Sequence, residues 1–215
     1  LYNNCYMRKP KSNKKYQELY TETARTRILS VLFTFPDKEF SLSDLATEAR
    51  VAKSNIGKIL EEFHNFELIE ISKLNVIWRI KANNLNPAFI KLKIPHNLSL
   101  IYGSGIVDFL NEYYGNTKAI ILFGSFRKGD DISGSDIDLA VETEGLPLNY
   151  KQNYTVIEFG KLARNPDESE NIKELQSILK RNIQVHVFNR KGIDINVFNN
   201  IANGIVLDGF LEVKL

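Results

Sequence analysis

Apolar residues recur at helical spacing through the first third of the chain. Between Tyr16 and Phe35 they fall at Leu19, Tyr20, Ile28, Leu29, Leu32 and Phe33 and stop before Pro36-Asp37, which predicts a first helix. Ser41 to Ala46 predicts a second, with Ser41 or Ser43 placed to cap it and Leu42, Leu45 and Ala46 turned inward. After a turn near Arg50-Val51, Lys53 to Phe63 predicts a third helix. Its buried stripe is Ile56, Ile59, Leu60 and Phe63, and its outer face carries Lys53, Asn55 and Lys58. Leu68–Ser72 and Val76–Ile80 then flank Lys73-Leu74-Asn75 in the pattern of a β-hairpin.

Asn86-Pro87 and Pro95 are breakers, and they mark residues 83–97 as a connector with a short helical piece. Helical spacing resumes from Leu98 to Tyr114, and the period then changes to two. Ala119 to Phe123 is an unbroken apolar run that suits a strand buried on both faces and is cut off by Gly124. Ser135 to Val141 alternates, with Asp136 and Asp138 on one face and Ile137 and Leu139 on the other. In Asn182–Phe188, Ile183, Val185 and Val187 oppose Gln184, His186 and Phe188. Tyr154–Phe159 predicts a further strand, Glu168–Arg181 and Asp194–Asn203 predict helices, and the segment from Gly204 to Phe210 closes the pattern.

Composition narrows the class. With 215 residues the chain has room for two small domains, and 43% apolar with 25% charged residues is ordinary for a globular protein. A net charge of +2 supplies no dominant field, so any basic surface must be local. The one local excess is at the start, where Arg8, Lys9, Lys11, Lys14 and Lys15 make residues 1–15 read as a basic flexible arm able to touch nucleic-acid phosphates. Cys5 is the sole cysteine, which excludes an internal disulfide and argues against a cysteine-based zinc site. No stretch reaches membrane-spanning length and the basic start lacks the apolar core of a signal peptide, so a cytoplasmic location without membrane contact is expected. His64 and His96 show no metal spacing and are assigned no role.

The chemistry concentrates in Ile121–Val141. Gly124 has no Cβ, which lets backbone amides approach a phosphate, and Ser125 adds a hydroxyl where a helix would start. Two carboxylates one strand step apart repel unless a cation or a proton lies between them. Mg²⁺ bridged to substrate phosphates is the usual answer with oxygen ligands.

Gly124-Ser125, ten intervening residues and Asp136-Ile137-Asp138 resemble the signature of the DNA polymerase β-like nucleotidyltransferase superfamily, closest to its minimal members. That resemblance implies an α/β (α+β) domain with a mixed sheet over 98–215. It implies that Gly124 and Ser125, with Lys128 in the following loop, bind a nucleoside triphosphate. Asp136 and Asp138 would be the catalytic and metal-holding residues for Mg²⁺ or Mn²⁺. A nucleoside monophosphate, AMP from ATP, would pass to a hydroxyl-type acceptor with pyrophosphate leaving. The superfamily usually draws a third carboxylate, often the general base, from a later strand. Here that strand is Asn182–Phe188, and its available face holds Gln184, His186 and Phe188. His186 is the candidate replacement, and Glu142 and Glu158 are other acids whose position sequence does not give.

Residues 16–82 resemble a winged helix-turn-helix domain in the stretch from Leu42 to Ile71, with its order of helix, turn, helix and wing. That likeness implies that the third helix reads the major groove of double-stranded DNA through Lys53, Ser54, Asn55 and Lys58, and that two copies pair across half-sites. The alternative to a transferase is a DNA-binding regulator whose second domain senses nucleotide or assembles a dimer. A related version is antitoxin-like and acts on a protein toxin partner. Template-directed polymerisation would need further domains to grip a primer.

Overall fold

A computed structural model describes residues 23–74, 77–115, 117–144 and 154–213. The basic arm and the start of the first expected helix lie outside the described residues, as does the tip of the hairpin at 75–76.

Thr23 opens α1 (Ala24–Thr34) with a reciprocal cap: its side chain accepts from the Thr26 amide, and the Thr26 hydroxyl accepts from the Thr23 amide. α1 buries Ile28, Leu32 and Phe33 and stops at Phe35, ahead of Pro36. Of the two candidate serines, Ser41 caps α2 (Leu42–Glu48) by accepting from Asp44 N–H at 3.1 Å. α3 (Lys53–Asn65) buries the expected stripe of Ile56, Ile59, Leu60 and Phe63. β1 (Glu39–Ser41), β2 (Ile69–Leu74) and β3 (Ile77–Ala82) form an antiparallel sheet in the order β1-β3-β2. Phe40 and Ile71 both oppose Ile80. β1 has three residues, too few for alternation to announce it.

One helix, α4 (Pro87–Ser104), runs where a connector over 83–97 and a separate helix from Leu98 are expected. Asn86-Pro87 begins it rather than breaking the chain: Asn86 Oδ1 accepts from Ala88 N–H at 2.7 Å, and proline fits a first helical turn, whose amides have no partner. Pro95 removes one hydrogen bond without ending the helix. α4 is held along its length, Phe89 in the core of the α1–β3 unit and Ile101 in the core of the following sheet. Gly105, in the left-handed conformation, separates it from α5 (Ile106–Tyr114).

The second sheet has the order β6-β7-β5-β4-β8 and is mixed. β4 (Thr117–Phe123) pairs antiparallel with β5 (Ile137–Thr143) and β8 (Ile205–Gly209), while β7 (Ile183–Phe188) runs parallel to β5 and antiparallel to β6 (Tyr154–Glu158). Ile120, Leu122, Ile137, Leu139, Val141, Ile183, Val185 and Val187 face α5, a 3₁₀ turn (Phe159–Leu162) and α7 (Pro166–Leu179) in the larger core. Ala119, Ile121, Ala140 and Phe188 meet Phe198 and Ile201 of α8 (Ile195–Ala202) on the other face. β4 is therefore buried on both faces, which is why it reads as a continuous apolar run. Between β4 and β5 lies α6 (Gly124–Lys128). No helix among the described residues is long and apolar enough to cross a membrane.

The α1–β3 unit and the mixed sheet meet around Asp131, which is fully buried. Its carboxylate faces Lys93 Nζ at 2.9 Å, Asn97 Nδ2 at 3.0 Å and Arg181 Nη2 at 3.4 Å. Arg181 also donates to the Thr34 carbonyl of α1, and Asp37 accepts from the amide and hydroxyl of Ser133. His96, further along α4 than Lys93, packs against Phe33 with ring centroids 5.2 Å apart.

Burial, reinforced by the Lys93 charge, pushes the His96 imidazole down to about 4, against the partial pull of Asp131 in the other direction. The folded ring is therefore neutral where the unfolded ring begins to take up protons. The stability it contributes is complete above its ordinary value of about 6.5 and is lost as the pH falls from there towards 4. Between pH 7 and pH 4 the wild type should lose about 2–3 kcal/mol more stability than a His96→Gln variant, measured by urea unfolding. Parallel pH profiles for the two proteins would show that the ring is not shielded.

Candidate functional site

Antiparallel pairing of β4 with β5 sets Phe123, the last residue of β4, opposite Asp138. The chain then turns at Gly124 with φ of +72°, a conformation that L side chains rarely adopt. A Cβ at this position would overlap Asp138 Oδ2, so the glycine lets the carboxylate lie directly against the turn. Ser125 follows, half-buried, and Phe126 anchors α6 in the larger core. Ile137 and Leu139 are fully buried on that side, so alternation sends Asp138 to the opposite face. Asp136 is the residue before β5, and the next amide, Ile137 N–H, is tied to the Asn182 carbonyl at 2.8 Å.

The parallel neighbour β7 brings His186 to the same face, paired in register with Ala140. Its Nε2 lies 3.2 Å from Asp138 Oδ1, and its Nδ1 lies 2.7 Å from the Tyr154 hydroxyl on β6. Phe123 closes on the imidazole edge-to-face at 4.8 Å between centroids. The two other acids are placed away from this contact. Glu142 is buried further along β5, where burial raises its carboxyl above the ordinary range against the pull of Arg190 and Lys118. Glu158 shares a cross-sheet row with Asp138 but is separated from it by Gln184, and it pairs with Lys161 at 3.1 Å.

Residues 104–205 match the family model of the nucleotidyltransferase domain. The matched span contains the turn, both aspartates and β7, and it begins at the end of α4. No curated protein and no solved structure gives a significant match to the chain.

Within the matched span the Asp138 carboxylate lies against the Gly124 turn, and Asp136 stands two residues before it at the entrance to β5. No group of three or more histidine, cysteine, aspartate or glutamate side chains among the described residues is arranged to hold a metal by itself. Two carboxylates fit a hard cation held partly by substrate phosphates, as Mg²⁺ usually is, and do not fit an all-protein cage. Lys128 stands apart from this arrangement: it is exposed at the last position of α6, at the opposite end from Gly124. Lys53, Ser54, Asn55 and Lys58 are all exposed at the start of α3, where Ala52 supplies no side-chain cap.

Tyr154 is the residue that sequence reasoning did not single out. It opens a short edge strand whose register is set only by pairing with β7, so no periodicity in the chain points to it. For Gly124→Ala we expect retained far-UV circular dichroism and at least a tenfold loss of Mg²⁺-dependent triphosphate binding by calorimetry, since the new methyl must displace Asp138. Unchanged binding would separate Asp138 from the nucleotide site.

Proposed function

We propose that this chain is a Mg²⁺-dependent nucleotidyltransferase that moves a nucleoside monophosphate, AMP from ATP, to a hydroxyl-type acceptor. The observation that carries this reading is the Asp138 carboxylate lying against the Gly124 turn, with Asp136 two residues before it, just ahead of β5. In the proposed reaction the acceptor oxygen attacks the α-phosphorus, the bond to the β-phosphate breaks, pyrophosphate departs and the hydroxyl proton passes to solvent. Gly124 and Ser125 hold the phosphates through the turn, and Asp136 and Asp138 would hold the cation. When bound, Mg²⁺ or Mn²⁺ neutralises phosphate charge and steadies the departing pyrophosphate. Phosphoryl transfer depends mainly on positioning and electrostatics, so the reaction can proceed without a third carboxylate as base, at some cost in rate.

Replacing both Asp136 and Asp138 with asparagine should abolish transfer of label from ATP to macromolecules in a cell lysate, while circular dichroism stays unchanged. Transfer that survives in the double variant would remove these residues from the mechanism.

We further propose that residues 16–82 act as a winged helix-turn-helix that binds double-stranded DNA. Supporting this are the exposed Lys53, Ser54, Asn55 and Lys58 at the start of α3, and Lys73, Arg79 and Lys81 on the β2–β3 hairpin. If both lysines of α3 contact phosphates, Lys53→Ala with Lys58→Ala should reduce the slope of log K against log salt by about 1–2 and leave nucleotide binding intact. An unaltered slope would move the contact surface elsewhere.

A second reading is a DNA-binding regulator, antitoxin-like in one version, whose nucleotidyltransferase domain senses nucleotide or assembles a dimer. It is favoured by the absence, among the described residues, of a third carboxylate in contact with Asp138. Mg²⁺-dependent ATP binding without transfer would select it.

A further inference from the structure

Asp138 carries the central role in the proposed transfer, yet an isolated aspartate turns easily about its last torsion and can present either oxygen to a ligand. Here one oxygen is already engaged. Asp138 Oδ1 receives His186 at 3.2 Å, and Oδ2 is the oxygen that lies against Gly124.

An ionised carboxylate only accepts hydrogen bonds, so the proton between the two groups belongs to His186 Nε2. In the neutral ring Nδ1 is then an acceptor, and the 2.7 Å contact with Tyr154 is a bond donated by the phenol. Tyr154 keeps its proton for this purpose, because burial, with the nearby Asp138 charge, raises the phenol above its ordinary range. With the ring in that form, donation runs from Tyr154 O–H to His186 Nδ1 and from His186 Nε2–H to Asp138 Oδ1. The ring itself is confined by the edge-to-face contact with Phe123 and by the tilted Tyr154 ring, with centroids 6.0 Å apart.

We propose that His186, oriented by Tyr154, is a positioning residue that holds Asp138 Oδ1 and thereby aims Oδ2 at the Gly124 turn. The inference rests on the proposed transferase site and adds how this chain organises it where no third carboxylate among the described residues contacts Asp138. It assigns His186 the task of holding Asp138, distinct from holding a metal directly.

The test is Mn²⁺ affinity, read by electron paramagnetic resonance in the presence of a non-hydrolysable triphosphate analogue, so that turnover is not needed. His186→Leu should weaken Mn²⁺ binding roughly tenfold or more, the usual consequence of losing a hydrogen bond to a metal ligand. His186→Gln, which keeps an N–H donor, should recover most of the loss. Tyr154→Phe removes one hydroxyl and should give a smaller loss, which keeps the proposal testable if His186→Leu does not fold. Wild-type affinity in both His186→Leu and Tyr154→Phe would overturn it, and so would ¹⁴N coupling showing His186 bonded to the Mn²⁺. The Asp136→Asn, Asp138→Asn double variant separates the two levels. If it too binds Mn²⁺ like the wild type, the site reading falls and the positioning role falls with it. If it loses binding while the His186 and Tyr154 variants do not, the positioning role alone is wrong.

Discussion

Asp131 is a charge buried among charges, and the placement of the site follows from how that charge is satisfied. A carboxylate removed from water costs several kcal/mol unless it is paired and hydrogen-bonded. Its partners come from separate parts of the chain: Lys93 and Asn97 from α4, and Arg181 from the residues between α7 and β7. Burial draws the Lys93 ammonium below its ordinary range while Asp131 draws it back. Arg181 extends the cluster to the Thr34 carbonyl, so the α1–β3 unit closes the same arrangement.

That cluster also braces the turn. Asn97 Nδ2 donates to the Phe126 carbonyl at 2.8 Å as well as to Asp131, which ties α6 to α4 directly. Gly129, at the end of α6, passes so close to α4 that a Cβ there would meet the Ile90 carbonyl at 2.9 Å. The face carrying Asp138 is thus built by the sheet, while the turn that meets it is held from behind by a helix belonging to both cores.

Much of this was legible in the chain. The two-residue period of β5 announces that Asp138 opposes Ile137 and Leu139, and the stripe of α3 appears because burial of one helix face demands it. The remainder depends on tertiary contact. Asn86-Pro87 carries the local chemistry of a breaker and of a helix start alike, and packing against two cores carries the helix on through Pro95. Gly124 reads as room for a phosphate, whereas the structure shows that Asp138 already uses part of that room. The contact between His186 and Asp138 needs the parallel alignment of β5 with β7, and Tyr154 needs the further pairing with β6, neither of which leaves a periodic trace.

The spacer between the glycine-serine turn and the two aspartates is anchored at Gly129 against Ile90, at Asp131 in the buried cluster and at Ser133 on Asp37. Ser135 then accepts from the Ile132 amide as the chain enters β5. The ten residues are therefore a measured span across the back of the turn. A chain lengthened here would have to bulge outward between fixed points, and a shortened one would have to give up an anchor, so the spacing acts as a ruler that keeps the carboxylates level with the turn.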